Sequence, residues 1–160
     1  MPVRTLETEL FLPRPPEEVF PFFADAANLE RITPALLRFR IVTAPPIEMR
    51  EGTLIDYRLR IRGTPVRWRT RITGWDPPHR FVDEQVRGPY RLWRHTHTFE
   101  ARGGGTLCRD VVEYRAPLDL LTHRWLVRPD LERIFEYRRE ALLEIFSGNG
   151  VEAGAVGARI

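Results

Sequence analysis

Residues 90–114 read YRLWRHTHTFEARGGGTLCRDVVEY and contain the pattern that decides the fold. Two runs of alternating residues flank three glycines, which is typical of two antiparallel strands joined by a tight turn. Side chains two apart on a strand point to the same side of a sheet. One face of the first strand therefore carries Trp93, His95, His97 and Phe99. This mixture indicates a cavity wall, because a core favours fewer polar groups and a solvent face fewer large aromatic rings.

The composition is that of an ordinary globular protein. A chain of 160 residues can form one domain with a full core, and it is 42% apolar and 29% charged. Cys108 is the only cysteine, so an internal disulfide is excluded and a reducing compartment is expected. No apolar run approaches the roughly 20 residues that span a bilayer. We therefore expect a soluble, cytoplasmic protein without a transmembrane segment.

The charged residues exclude several classes of function. All 25 basic residues are arginine, so chemistry that needs lysine, such as Schiff-base formation or a P-loop, is excluded. The formal net charge of +3 is too small to indicate a nucleic-acid-binding protein. We expect no nucleic-acid partner and no cofactor.

The predicted elements follow the order strand, two short helices, six strands and one long helix. The first strand covers residues 6–12, and the second covers residues 37–43. Hairpin turns then separate five more strands, and Pro117 ends the last of them. Residues 118–146 are mostly helical, with Asp130 as N-cap of an amphipathic helix. This order predicts an α+β domain in which the last helix lies across one face of an antiparallel sheet.

Arginines assign the two faces of the predicted sheet. In the third and fourth strands six arginines alternate with apolar or aromatic residues: Arg58, Arg60, Arg62, Arg67, Arg69 and Arg71. They must face water, because an unpaired buried charge is very unfavourable. Hairpin pairing then places Glu84 opposite Arg94 on the outer face as an ion pair.

The same pairing collects polar residues on the inner face: Asp83, Gln85, His95, His97 and Asp110. Three interpretations stay open. The group is a buried network in which each carboxylate is satisfied by a histidine, a polar spot that orients a small molecule in an apolar pocket, or a metal site or acid–base pair. No HExxH or paired CxxC motif supports a metal, so none is predicted.

Two stretches resemble a known superfamily. Residues 13–34, PRPPEEVFPFFADAANLERITP, resemble the opening of the START-like helix-grip superfamily, also called SRPBCC, which includes the birch-pollen-allergen proteins, lipid-transfer START domains and polyketide cyclases. Residues 74–114, followed by a proline and a long helix containing IFEYRR, resemble a bacterial branch grouped with an enediyne self-sacrifice resistance protein. The resemblance covers residues 3–147, and its most specific part is RGPYRLWRHTHTF.

The resemblance implies a curved seven-stranded antiparallel sheet that grips the C-terminal helix, with two short helices between strands 1 and 2 and a deep cavity. Residues 1–147 would form this START-like ligand-binding domain. Residues 148–160, rich in glycine and alanine, are expected to be a flexible tail. Members bind lipids, sterols, polyketides, quinones or hormones, and a minority are enzymes such as aromatase/cyclases.

The first functional hypothesis is binding of a small hydrophobic or aromatic molecule, of the lipid, polyketide or quinone type, between the sheet and the last helix. The predicted ligand-binding residues are Tyr57, Leu59, Trp68, Phe81, Asp83, Gln85, Trp93, His95, His97, Phe99, Asp110, Tyr114, Phe135 and Leu142.

Two alternatives stay open. The same cavity could belong to a cyclase- or dehydratase-like enzyme, with His95, His97 and Asp83 as the candidate acid–base residues. The outer arginines could instead bind an anionic membrane surface or RNA, although a solvated face is the more common reason for such a pattern. Of the remaining reactive residues, Cys108 is expected to pack inward. His79 and His123 are expected at the surface.

Overall fold

The computed structural model describes residues 2–118 and 123–147. Its strands are β1 (Arg4–Leu12), β2 (Arg40–Ile41), β3 (Leu54–Ile61), β4 (Thr64–Asp76), β5 (Arg80–Arg87), β6 (Leu92–Arg102) and β7 (Gly105–Arg115). Its α-helices are α1 (Pro16–Ala24) and α2 (Arg128–Phe146). Shorter helical segments are the 3₁₀-helices Ala26–Ile32 and Ala35–Leu37 and the π-helix His123–Val127. The predicted tail, residues 148–160, lies outside the described residues.

The seven strands form one antiparallel sheet in the order β1-β7-β6-β5-β4-β3-β2. Each strand from β2 to β6 pairs with the next one along the chain, and β7 returns to pair with β1. The sheet is curved and the long α2 lies against it, so the predicted helix-grip fold of the α+β class is confirmed. Within the described ranges, no helix has both the length and the apolar character needed to cross a membrane.

Two hairpins turn through residues with left-handed backbone. Arg62 and Gly63 join β3 to β4 with φ angles of 50° and 80°, and Gly103 and Gly104 join β6 to β7 with φ angles of 55° and 80°. Two consecutive residues of positive φ are typical of the tight turn whose twist matches that of the flanking strands. Both predicted hairpins are confirmed.

The predicted faces of the sheet are confirmed except at Arg62, which turns at the end of β3 with positive φ, lines the cavity and pairs with Asp130 of α2. Tyr57 and Trp68 lie opposite each other on the inner face. On the outer face Glu84 pairs with Arg94 in register, and their side chains approach to 3.7 Å. The β4–β5 pairing has two irregularities, yet Asp83 still reaches the inner side.

The second strand is shorter than predicted. Leu37 ends a 3₁₀-helix and Arg38 adopts a left-handed conformation with φ 45°. Because the chain turns there, only Arg40–Ile41 pairs with β3, instead of residues 37–43. The sequence places the start of the second short helix at Asn28, in the run NLERIT before Pro34, but in the structure this helix begins at Ala26.

The start of α2 and the place of His123 correct two further predictions. Asp130 is not the N-cap, because the helix already begins at Arg128 and is preceded directly by the π-helix. Its carboxylate accepts hydrogen bonds from Arg62 instead. His123 is buried and not at the surface. Its Nε2 lies 2.8 Å from the hydroxyl of Tyr114, which gives the buried imidazole a hydrogen-bond partner. Cys108 is buried as predicted, and His79 is exposed.

Apolar clusters at both ends of α2 pack this helix against the sheet. Towards its C-terminus, Leu142 and Ile145 pack in a cluster with Phe20 and Phe99. Towards its N-terminus, Leu131 packs against β7. The residues of α2 between these two contacts face the inner surface of the sheet across a cavity.

Candidate functional site

A cavity of about 630 Å³ lies between the inner face of the sheet, α2 and the 3₁₀-helices. Its lining is largely apolar and aromatic, and three of its polar side chains, Asp83, His95 and His97, lie together on β5 and β6. Nine of the predicted ligand-binding residues line it: Tyr57, Leu59, Trp68, Phe81, Asp83, Trp93, His95, His97 and Phe135.

Five predicted residues do not line the cavity: Gln85, Phe99, Asp110, Tyr114 and Leu142. Gln85 holds the segment before β6 instead, because its amide donates to the Tyr90 carbonyl at 2.6 Å and accepts from the Tyr90 N–H at 3.1 Å. Phe99 and Leu142 are buried in the core cluster with α1. Asp110 lies behind the two histidines, where it supports the wall rather than forming its surface.

The two histidines and two aspartates form a closely bonded polar cluster. Adjacent strands bring them together, since Asp83 pairs in register with His95 and His97 pairs with Asp110. His95 Nε2 lies 2.8 Å from Asp110 Oδ1, and His97 Nε2 lies 2.7 Å from Asp83 Oδ2. His97 Nδ1 is also 3.0 Å from Asp110 Oδ1. Each carboxylate lies against a histidine, as in the first of the three interpretations that the sequence left open, and these contacts do not decide between it and the other two.

Arg138 of α2 completes the cluster, and it was not among the predicted site residues. Its side chain is buried, and its Nη2 lies 3.4 Å from both Asp110 Oδ1 and His97 Nδ1. Its guanidinium carbon lies 5.4 Å from the ring centroid of Phe23. Its Nε has no hydrogen-bond partner among the described residues. The signal was present in the sequence, because an arginine occupies one position of the apolar stripe of α2.

The family follows from a comparison with known proteins. Residues 12–143 match the family model described as polyketide cyclase/dehydrase and lipid transport. The chain belongs to this family. No curated protein matches the sequence. The match confirms the predicted membership of the START-like superfamily.

Solved structures share the fold of this family member across nearly its whole length. Protein CV1439 from Chromobacterium violaceum is 16% identical with a TM-score of 0.71, over 91% of this chain and 98% of that chain. The Zhui aromatase/cyclase from Streptomyces sp. R1128 is 16% identical with a TM-score of 0.68, over 89% and 93%. A nucleoside-diphosphate sugar epimerase from Corynebacterium glutamicum is 27% identical with a TM-score of 0.62, over 87% of this chain but 28% of that chain.

In this member of the polyketide cyclase/dehydrase family, the polar cluster lowers the pKa values of both its aspartates, Asp83 and Asp110. Burial opposes ionisation of Asp110, but the charge of Arg138 and the hydrogen bonds from both histidines outweigh it and hold the pKa of Asp110 well below its usual value. Burial likewise opposes ionisation of Asp83, and the hydrogen bond from His97 reverses that effect, so its pKa is also lowered. Both side chains are therefore carboxylates.

The pKa values of the two histidines are shifted in opposite directions although the rings lie side by side. Burial opposes protonation of both. For His97, hydrogen bonds to Asp110 and Asp83 outweigh burial and raise its pKa. For His95, burial together with the neighbouring charge of His97 lowers the pKa despite the bond to Asp110. His97 is therefore the imidazole that holds a proton most firmly, and His95 is the more readily neutral one.

The arginines of the outer face are partly compensated within the protein. Arg69 makes two hydrogen bonds to Asp56, at 2.7 and 3.0 Å. Arg58 lies directly opposite Arg67 in the register of the same hairpin. The face is thus a mixture of ion pairs and adjacent like charges.

Proposed function

We propose that this protein binds a small hydrophobic or aromatic molecule, of the lipid, polyketide or quinone type, in the cavity between the sheet and α2. One observation carries the proposal: a cavity of about 630 Å³ is apolar and aromatic over most of its wall and carries a minority of polar side chains, among them the group of Asp83, His95 and His97. Small-molecule sites have this composition, and their volumes range over roughly 300–1,000 Å³.

The two kinds of lining have different roles in this proposal. Trp68, Trp93 and Phe135 enclose the apolar part of the ligand, because burying aromatic surface is the main favourable contribution to such binding. His95 hydrogen-bonds its polar end through Nδ1, because both ring nitrogens of His97 already lie within hydrogen-bond distance of Asp83 and Asp110. Asp110 does not contact the ligand and instead fixes the two imidazoles.

Titration with the neutral fluorescent probe N-phenyl-1-naphthylamine tests the binding proposal. Saturable binding to the wild-type chain is expected, and Trp93→Ala should weaken it by about tenfold because a ring of the wall is lost. Trp125→Ala is the matched control, since this indole is 73% exposed and lies outside the cavity lining. Binding that does not saturate, or that Trp93→Ala leaves unchanged, would show that the cavity is not the binding site.

A second function is favoured by the histidine–aspartate pairs at the cavity wall. A neutral imidazole held by a carboxylate is a general acid–base suited to neutral pH, so His95 backed by Asp110 would act in a cyclase- or dehydratase-type reaction. Cyclisation of an aromatic poly-β-ketone substrate analogue is the assay. Loss of turnover in both His95→Ala and His97→Ala supports this function, whereas turnover that survives both substitutions excludes it.

A further inference from the structure

Three side chains at the cavity wall bring possible metal-ligand atoms close together. Asp83, His95 and His97 each offer one ligand atom, and these atoms lie within 4.8 Å of one another. Asp83 Oδ2 is 2.7 Å from His97 Nε2 and 4.0 Å from His95 Nδ1. Imidazole and carboxylate ligand atoms lie about 2.0–2.2 Å from a first-row metal, so two ligand atoms of one ion are roughly 3–3.5 Å apart, and the two observed separations bracket that value. We propose that these three residues form a binding site for one divalent transition-metal ion.

Asp110 orients both imidazoles for this role. Its Oδ1 lies 2.8 Å from His95 Nε2 and 3.0 Å from His97 Nδ1. A metal-binding histidine almost always donates its second ring N–H to a carboxylate or carbonyl, which fixes the tautomer and the ring orientation. One carboxylate serves both rings here, and it leaves His95 Nδ1 and His97 Nε2 on the side of Asp83. Asp110 is accordingly a positioning residue and not a ligand.

Backbone pairing between β5 and β6 sets the positions of the three proposed ligands relative to one another. Asp83 and His95 are paired residues of neighbouring strands, and His97 follows two positions along on the same face of β6. The imidazoles of His95 and His97 are stacked with centroids 3.7 Å apart and are 6% and 5% exposed. All three ligands also line the cavity. A bound ion would therefore have a coordination position open to the cavity, where water or an oxygen of a cavity ligand could bind.

The charge of the cluster suits a cation. Metal ligation requires neutral imidazoles, so binding would release the proton that His97 holds between Asp83 and Asp110, and the two carboxylates with the guanidinium of Arg138 then leave a surplus negative charge. Arg138 lies on the Asp110 side, 3.4 Å from that carboxylate. Two imidazoles and one carboxylate match ligand sets of Zn²⁺ and of non-haem Fe²⁺, whereas Mg²⁺ and Ca²⁺ prefer oxygen ligands.

Titration of the EDTA-treated full chain with CoCl₂ tests the site, with visible absorption and the metal content after gel filtration as readouts. One Co²⁺ per chain is expected, with d–d bands typical of nitrogen and oxygen ligands. His95→Gln and Asp83→Asn should each weaken binding at least 100-fold, and Asp110→Asn should weaken it about 10- to 100-fold. His79→Gln, at an exposed histidine on a turn, is the matched control and should bind Co²⁺ like the wild type.

An NMR measurement on the wild type alone tests the site independently of whether the variants fold. Bound Co²⁺ should shift and broaden the NMR signals of the His95 and His97 ring protons while leaving those of His79 in place. Absence of stoichiometric binding, or binding of equal affinity in His95→Gln, overturns the proposal. Failure of the metal proposal can be distinguished from failure of the apolar binding proposed above, because N-phenyl-1-naphthylamine is titrated in the presence of EDTA, which keeps metal from the site.

Discussion

Arg62 and Asp130 tie the tip of the β3–β4 hairpin to the first turn of α2 through two parallel hydrogen bonds. Arg62 Nε donates to Asp130 Oδ2 at 2.9 Å, and Arg62 Nη2 donates to Asp130 Oδ1 at 3.0 Å. Both residues line the cavity. The pair therefore joins two walls of the cavity that are 68 positions apart in the chain.

Arg62→Ala should change the kinetics of ligand exchange more than the stability. The two side chains are 50% and 28% exposed, so the lost ion pair should lower the free energy of unfolding by less than about 1 kcal/mol. Release of N-phenyl-1-naphthylamine, followed by stopped-flow fluorescence, should become severalfold faster because the hairpin is no longer held to α2. Arg67→Ala on the outer face of the same hairpin is the control. An unchanged release rate in Arg62→Ala would contradict this role.

Arg138→Met should be strongly destabilising. The substitution keeps most of the side-chain volume but leaves Asp110 buried beside the histidines without its cationic neighbour. Removing one partner of a buried ion pair costs about 3–5 kcal/mol, which urea denaturation followed by circular dichroism would measure. Arg139→Met, one position along on the exposed side of α2, should stay within about 0.5 kcal/mol of the wild type. Equal stability of the two variants would show that Arg138 does not stabilise the cluster.

Gly105→Ala should destabilise the fold more than Gly103→Ala. A Cβ at Gly105 would collide with the backbone carbonyl oxygen of Leu12 and the ring of Phe11, and that carbonyl cannot move without disturbing the β1–β7 pairing. A Cβ at Gly103 meets open space, so its cost is the left-handed backbone alone, about 1–2 kcal/mol. Thermal unfolding should give the lower midpoint for Gly105→Ala. A lower midpoint for Gly103→Ala would mean that β1 can move to accommodate the added Cβ at Gly105.

The thiol of Cys108 should be almost inert in the native protein. Burial, with a smaller contribution from the charge of Asp110, raises its pKa to about 12. Because the thiolate is the reactive species, alkylation by iodoacetamide at pH 8 should be on the order of 1,000-fold slower than in urea-unfolded chain. Mass spectrometry reads the result directly, since Cys108 is the only cysteine. Equally fast labelling of native protein would show that the thiol is accessible.

Strand periodicity made much of the site predictable. Side chains on a strand alternate strictly between faces, so the arginines of β3 and β4 were sufficient to place His95 and His97 inside, and hairpin pairing then brought Asp83 to them. The structure agrees even across the irregular β4–β5 pairing. Alternation is a local property that needs no knowledge of the tertiary fold.

Contacts between elements far apart in sequence could not be obtained in this way. Arg138 meets Asp110 only because α2 crosses the sheet at that position, and neither spacing nor composition specifies where a helix crosses. The same reason explains His123, whose partner Tyr114 lies on β7. The error at Asp130 is of another kind, since a proline and a good capping residue mark the usual start of a helix, but the chain was already helical from Arg128.

The polar cluster is carried mainly by the sheet, whereas helices supply much of the apolar lining. His95 and His97 are held by backbone pairing on both sides of β6, but Leu36, Ile134 and Phe135 contribute side-chain volume from helical segments. Substitution at those helical positions can alter the size and shape of the molecule admitted while the imidazoles stay in place. Libraries that randomise Leu36, Ile134 and Phe135 are accordingly the natural starting point for redesigning the selectivity of this scaffold.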